Sequence, residues 1–264
     1  MRSMWSGSGG WDEMKPQTKA AELIEHLQQQ ALEPNEFQLR VAEREAKAVL
    51  KHDATQGYVI LGIINAIRGD YAASVDYHQK AIRISNDYWT NRQFLSSLFN
   101  MKCWQEAMIQ ADLLLKDFSP VLPDVPMVGI QAAIRAGYAQ KASLYRAALV
   151  KLSPNEDDNG ELAQMINTAN MLTSTGLSDA EMGEMNQLAE QVAQDMGATI
   201  VSTYTWANVW EEPFNIINEY LVTGADTADM VFELADRVAT LNPPAFQKGG
   251  YHVTFTPAPV QKNA

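Results

Sequence analysis

Apolar residues recur at intervals of three and four along most of this chain, from Lys15 to about Met196. That interval gathers them on one face of an α-helix, where about 3.6 residues complete a turn. Proline and glycine cut the pattern into segments. "KAAELIEHLQQQALE" runs to Pro34, and "NEFQLRVAEREAKAVLKHD" follows with Asn35 as the predicted N-cap. "QGYVILGIINAIRG", "DYAASVDYHQKAIRIS", "NRQFLSSLFNM" and "WQEAMIQADLLLKDF" come next. Pro120, Pro123 and Pro126 predict an extended link, because proline disfavours helix in the residue before it. "VGIQAAIRAG" and "YAQKASLYRAALVKL" then lead to Pro154. The short turns between these segments predict antiparallel helical neighbours.

The segments share a register. Phe37, Tyr71, Trp104 and Tyr138 are spaced by 33 or 34 residues. Four residues beyond each stand Val41, Val75, Met108 and Ala142, and eleven beyond stand Ala48, Ile82, Leu115 and Leu149. Offsets of zero, four and eleven fall on one helix face, so a single apolar stripe returns four times. The unit resembles a tetratricopeptide repeat. Tyr58, Leu61 and Gly62 carry the resemblance on the first helix of a pair, and Gly69, Tyr71, Ser74 and Ala81 on the second. The next copy keeps Trp104 and Ala107 but has Leu95 in place of Gly62 and Leu114 in place of Ala81. The resemblance covers roughly residues 15–155.

It implies stacked hairpins that approach closely at Gly62, with Tyr71, Val75 and Ile82 committed to the core. Tyr71→Asp is then expected to cost roughly 3 kcal/mol or more. It also implies a curved surface lined by the first helix of each pair, which holds a peptide or protein partner. The residues expected on that surface are Gln56, Val59 and Ile63 from one hairpin, and Trp89, Arg92, Ser96 and Asn100 from the next. The Lys-and-Asn clamp that some members use for C-terminal carboxylates is not visible.

Beyond Asn155 the pattern changes. Residues 156–197 hold two helical segments rich in acid and methionine, with Ser178 and Glu181 spaced as a capping box. Residues 198–264 alternate differently. "ATIVSTYTWANVW", "EPFNIINEYLVTG" and "GYHVTFTPAPV" read as strands, and "TADMVFELADRVATL" as a helix with Thr227 as a candidate cap. The expected fold class is mainly α, a tetratricopeptide-like array of helical hairpins followed by a small C-terminal α+β module of order β-β-α-β. Residues 1–14 read as a flexible lead without the apolar centre of a secretion signal.

Charge sharpens this division. The chain carries a net −12, and Leu152–Gln247 holds sixteen acidic residues against one basic residue, Arg237. Phosphates would be repelled there, which argues against nucleic acid. The acidic stretch is either a well-solvated surface or a face for a basic partner. No apolar run approaches the roughly 18 residues that span a bilayer, so no membrane partner is expected. The single cysteine, Cys103, fits a reducing cytoplasm and excludes an internal disulfide.

Chemistry-bearing motifs are sparse. His26, His52, His78 and His252 lie far apart in sequence, and no phosphate-binding glycine loop follows a strand. Cys103 precedes a helix start, where the helix dipole could lower its pKa. Asn155, Asp157 and Asn159 before Gly160 alternate like calcium ligands, but Ile166 stands where the closing Glu belongs. Met165, Met171, Met182, Met185 and Met196 read as core or as an adaptable binding face.

The expected function is therefore a cytoplasmic interaction scaffold, adaptor or chaperone, without catalysis, metal or cofactor. Its partner is a protein or peptide, basic if the acidic surface is a second contact, and self-association stays open. Two alternatives are an immunity or inhibitor protein that blocks a basic partner, and an enzyme using Tyr204, Trp206, Glu211, Glu212 and His252.

Overall fold

The protein is described here from a computed structural model. The structure describes residues 19–30, 35–153, 161–208 and 215–259. It is mainly α-helical and ends in a small α+β module, as the periodicity predicts. The chain divides into two compact units between Val121 and Leu122. That division falls within the proline-marked link rather than near residue 155.

The first unit holds α1 (Lys19–Gln30), α2 (Glu36–Val49), α3 (Ala54–Arg68), α4 (Tyr71–Ile84), α5 (Tyr88–Asn100) and α6 (Trp104–Asp117). Capping residues set most of the starts. The side chains of Asn35, Asp53, Asp70 and Asp87 each accept from a backbone N–H in the first turn of α2, α3, α4 and α5. Gly69 ends α3 in the left-handed conformation at φ 75°, which a side chain would disfavour. The first helices of successive pairs lie side by side, α3 packing on both α1 and α5. The second helix of each pair packs against its own partner, α4 on α3 and α6 on α5.

Glycine lets α3 and α4 approach. A Cβ on Gly62 would stand 2.6 Å from the His78 ring, sixteen residues on. The same spacing recurs in the second unit, where a Cβ on Gly129 would meet the Tyr145 ring at 2.8 Å. In the intervening pair the sizes are exchanged, with Leu95 on α5 and Ala111 on α6, both buried. At each of the three places one small and one large residue stand sixteen apart in sequence, which suits close packing.

Tyr71 does not fill a seam. It is 43% exposed, and the buried face of α4 is Ser74, His78 and Ala81. Tyr71 lies one turn ahead of Ser74 at the first residue of the helix, where neighbours cover only part of the ring. Phe37 is 75% exposed, since α2 buries Leu39, Ala42 and Ala46 on its other side. Val75 and Ile82 are half-buried rather than central. Trp104 alone of the four aromatics is fully enclosed, and Tyr138 is half-buried.

The second unit holds α7 (Asp124–Arg135), α8 (Ala139–Leu152), α9 (Glu161–Ser174), α10 (Asp179–Asp195), β1 (Thr199–Asn208), β2 (Asn215–Thr223), α11 (Thr227–Leu241), α12 (Pro244–Lys248) and β3 (Tyr251–Pro257). α7 packs on α8, and α9 contacts both. The capping box at α10 forms as expected, Ser178 and Glu181 each accepting from the other's backbone. Met182 and Met185 are buried core residues, which favours the packing role for these methionines. The sheet has order β1-β2-β3, with β1 antiparallel and β3 parallel to β2. The parallel pairing is possible because α11 provides the crossover. Its cap is Asp226 rather than Thr227, the carboxylate accepting from Ala228 and Asp229. The short helix α12 is an addition to the expected β-β-α-β order.

Sheet and helices are joined by a buried polar cluster. Asn186 of α10 donates to the Ala136 carbonyl at 2.7 Å and accepts from Asn218 at 2.9 Å and from Tyr251 Oη at 2.8 Å. Thr205 Oγ1 donates to Asn218 Oδ1 at 3.1 Å. Buried polar groups are costly unless paired, so this cluster fixes one seating of the sheet on α10.

Candidate interaction surface

The residues expected to line a groove separate into two groups. Val59 is 0% exposed and Ile63 is 6% exposed, and both belong to the core of the first unit with Leu39, Ile60 and Leu23. α3 is apolar on nearly every side and is enclosed by α1, α2, α4 and α5. These two residues are therefore packing residues and cannot meet a ligand. Gln56, one turn earlier, is half-buried. The α5 residues differ. Trp89 is 37% exposed, Asn100 is exposed and Arg92 is half-buried. Their spacing of three, four and four, through Ser96, aligns them along one side of α5. Ser96 is itself buried and donates to the Arg92 carbonyl at 3.0 Å, so it supports the strip rather than presenting a group.

Buried polar contacts hold the rest of α5. Asn91 Nδ2 donates to Asn86 Oδ1 at 2.8 Å and to the Asp87 carbonyl at 2.9 Å. Gln110 of α6 donates to Asn91 Oδ1 at 2.9 Å. On another side, Ser97 Oγ and His78 Nε2 are 2.8 Å apart. Burial opposes ionisation of Asp87, but hydrogen bonds from Ser85, Thr90 and Trp89 outweigh it and hold the carboxyl below its usual range. These contacts fix the rotation of α5 about its axis. The strip of Trp89, Arg92 and Asn100 is thus held on a rigid element.

His78 and Ser97 are adjacent but enclosed, with exposures of 0% and 2%, so the pair cannot reach a substrate. Burial pushes the His78 ring down to about 3, which keeps it neutral. No family model, no curated protein and no solved structure matches this chain.

The remaining candidates lie in the second unit, apart from Cys103 in the first. Trp206, Ile217 and His252 occupy one cross-strand row, and Tyr204, Glu219 and Thr254 another. Tyr204 and Trp206 are 41% and 44% exposed. His252 Nε2 lies 3.2 Å from Asn215 Oδ1 at the sheet surface, and Thr256 donates to Glu219. Glu211 and Glu212 lie outside the described residues, as do Asn155, Asp157, Asn159 and Gly160. Among the described residues no group of three or more His, Cys, Asp and Glu could hold a metal ion. Burial first, and Glu106 second, push the Cys103 thiol up to about 11, opposite to the lowering expected from its helix-start position. No described helix is long and apolar enough to cross a membrane.

Several acidic residues have structural partners. Asp179 accepts from the backbone N–H groups of Gln140 and Lys141 at 2.8 and 2.9 Å, capping α8 from outside. Glu181 pairs with Lys248 at 2.6 Å, and that bond, with those from Ser178, draws its carboxyl down to about 2. Arg237 joins Asp195 at 2.9 Å and Glu233 at 2.7 Å. Trp89, Arg92 and Asn100 were read from the sequence, whereas the buried contacts that support them were poorly legible there. The signal was the run "TNRQFLSS", a polar stretch inside a helical pattern.

Proposed function

We propose that this chain is an interaction scaffold built like a tetratricopeptide array, and that it holds a peptide or protein segment along α5. The observation that supports this reading is the strip of Trp89, Arg92 and Asn100, presented on a helix whose other sides are locked by buried hydrogen bonds. A fixed, partly exposed Trp beside an Arg is the composition that dominates protein interfaces, because both combine a large apolar area with directed polar contacts. The ligand is a segment with an apolar residue seated on Trp89 and an acceptor for Arg92. The half-buried Gln56 lies on the neighbouring first helix. The work of such a protein is binding rather than catalysis, in the cytoplasm, and a peptide library tests it. Peptides selected on the immobilised protein should lose about tenfold or more in affinity with Trp89→Ala and with Arg92→Ala. Peptides that bind both variants as tightly as the parent would refute a site on α5.

A further inference from the structure

A second surface lies on α11, and its charge indicates what covers it. A helix beside a sheet ordinarily buries one apolar side and shows a polar one. α11 buries Met230, Leu234 and Val238, as expected. Beside that buried side run Ala228, Val231, Phe232, Ala235 and Ala239, all exposed. Phe232 is 70% exposed and Val231 39%. The spacing of three and four aligns these five as a continuous stripe about three turns long, with small residues around one protruding ring. A neighbouring helix can approach closely over alanines, and Phe232 supplies an anchor.

The rim of this stripe is acidic. Asp229, Glu233 and Asp236 all fall along one side of it by helical geometry. Arg237, the sole basic residue of α11, is already shared between Asp195 and Glu233. The acids therefore outnumber the cation that faces them. A second copy packed antiparallel would bring the same acids against each other across a two-fold axis. We infer that the exposed side of α11 is a docking site for a basic amphipathic helix of another protein, with apolar residues at i, i+3, i+4 and i+7 and Lys or Arg alongside. This rests on the reading of the chain as an interaction protein, but uses a different surface from α5.

The probe is a labelled synthetic helix of Leu, Ala and Lys in that pattern, with a control in which Glu replaces each Lys. Anisotropy on the full chain should show binding of the Lys peptide, weakened by salt, and none of the Glu peptide. Phe232→Asp should weaken it by about tenfold or more, since burial of that ring is lost. The side chain is exposed, so the fold is expected to survive, and circular dichroism verifies this. Asp229→Lys with Asp236→Lys should shift preference toward the Glu peptide. Equal binding of the Lys peptide to parent and Phe232→Asp would overturn the inference, leaving only diffuse charge attraction. So would a dimer of the parent chain in sedimentation that Phe232→Asp dissolves, which would make a second copy the occupant. Trp89→Ala should leave binding of this probe unchanged, so failure here and failure of the α5 site are separable.

Discussion

His78 gives the strictest test of how the first unit is packed. The ring is fully enclosed between Gly62, Ser97 and Phe94, with Nε2 2.8 Å from Ser97 Oγ and the ring centroid 5.2 Å from that of Phe94. Nδ1 is buried without a hydrogen-bond partner. A second proton on the ring would place a charge where the Nδ1 side has nothing to solvate it, so burial lowers the pKa from 6.5 to about 3. The folded pKa is the depressed one, so the unfolded chain binds the proton more readily. The stabilisation is complete above the unfolded value, and it is lost as pH falls from 6.5 toward 3. Each pKa unit corresponds to about 1.4 kcal/mol, so the full window is worth roughly 5 kcal/mol. Between pH 6.5 and 4.5 the loss is roughly 2 kcal/mol.

The comparison is with His78→Gln, which keeps a polar group near Ser97 but does not titrate. The variant loses the stack on Phe94, so its absolute stability falls at every pH. The informative quantity is the slope. Urea unfolding from pH 7.5 to 4.5 should show the parent losing roughly 3 kcal/mol more than the variant. Carboxylates held low by their partners, such as Glu43 beside Lys47 and Arg68, contribute equally to both proteins and cancel. Parallel pH curves would refute the reasoning and show that the ring is hydrated or partnered.

Five other substitutions probe the same account. Gly62→Ala and Gly129→Ala each force a methyl group into a ring, and each should cost roughly 1–3 kcal/mol in urea unfolding; a neutral result would mean the helices are not in close contact. Tyr71→Asp should cost about 1 kcal/mol or less, because the ring is half exposed and an acid suits a helix start; a loss of roughly 3 kcal/mol would return Tyr71 to the core. Asn186→Leu leaves the Ala136 carbonyl, Asn218 and Tyr251 without their shared partner and should cost roughly 3 kcal/mol or more, whereas Tyr251→Phe removes one hydrogen bond for about 1 kcal/mol; equal costs would contradict a cluster centred on Asn186.

Periodicity carried the helices and strands because it reports which side of an element is buried. β2 is a clear case, since Ile216 and Tyr220 on alternate positions are both enclosed. Periodicity reports less well how deeply a residue is buried. Tyr71 and Phe37 carry the aromatic register yet stand exposed, because one starts its helix and the other faces away from Leu39, Ala42 and Ala46. Val59 and Ile63 were expected to meet a ligand, yet both are buried in the core of the first unit. A helix position signals its side, whereas enclosure depends on elements distant in sequence. The buried polar residues were least legible. Asn186, Asn218, His78 and Asn91 each resemble surface residues until their partners, 19 to 65 positions away, are brought together.

The scaffold reading is tested most directly by hydrogen exchange of the chain with a library-selected peptide bound. Added protection should appear in α5 and in the first turn of α3 around Gln56, and should be absent in Trp89→Ala at the same peptide concentration. Protection confined to the second unit, or unchanged in Trp89→Ala, would contradict a binding site on α5.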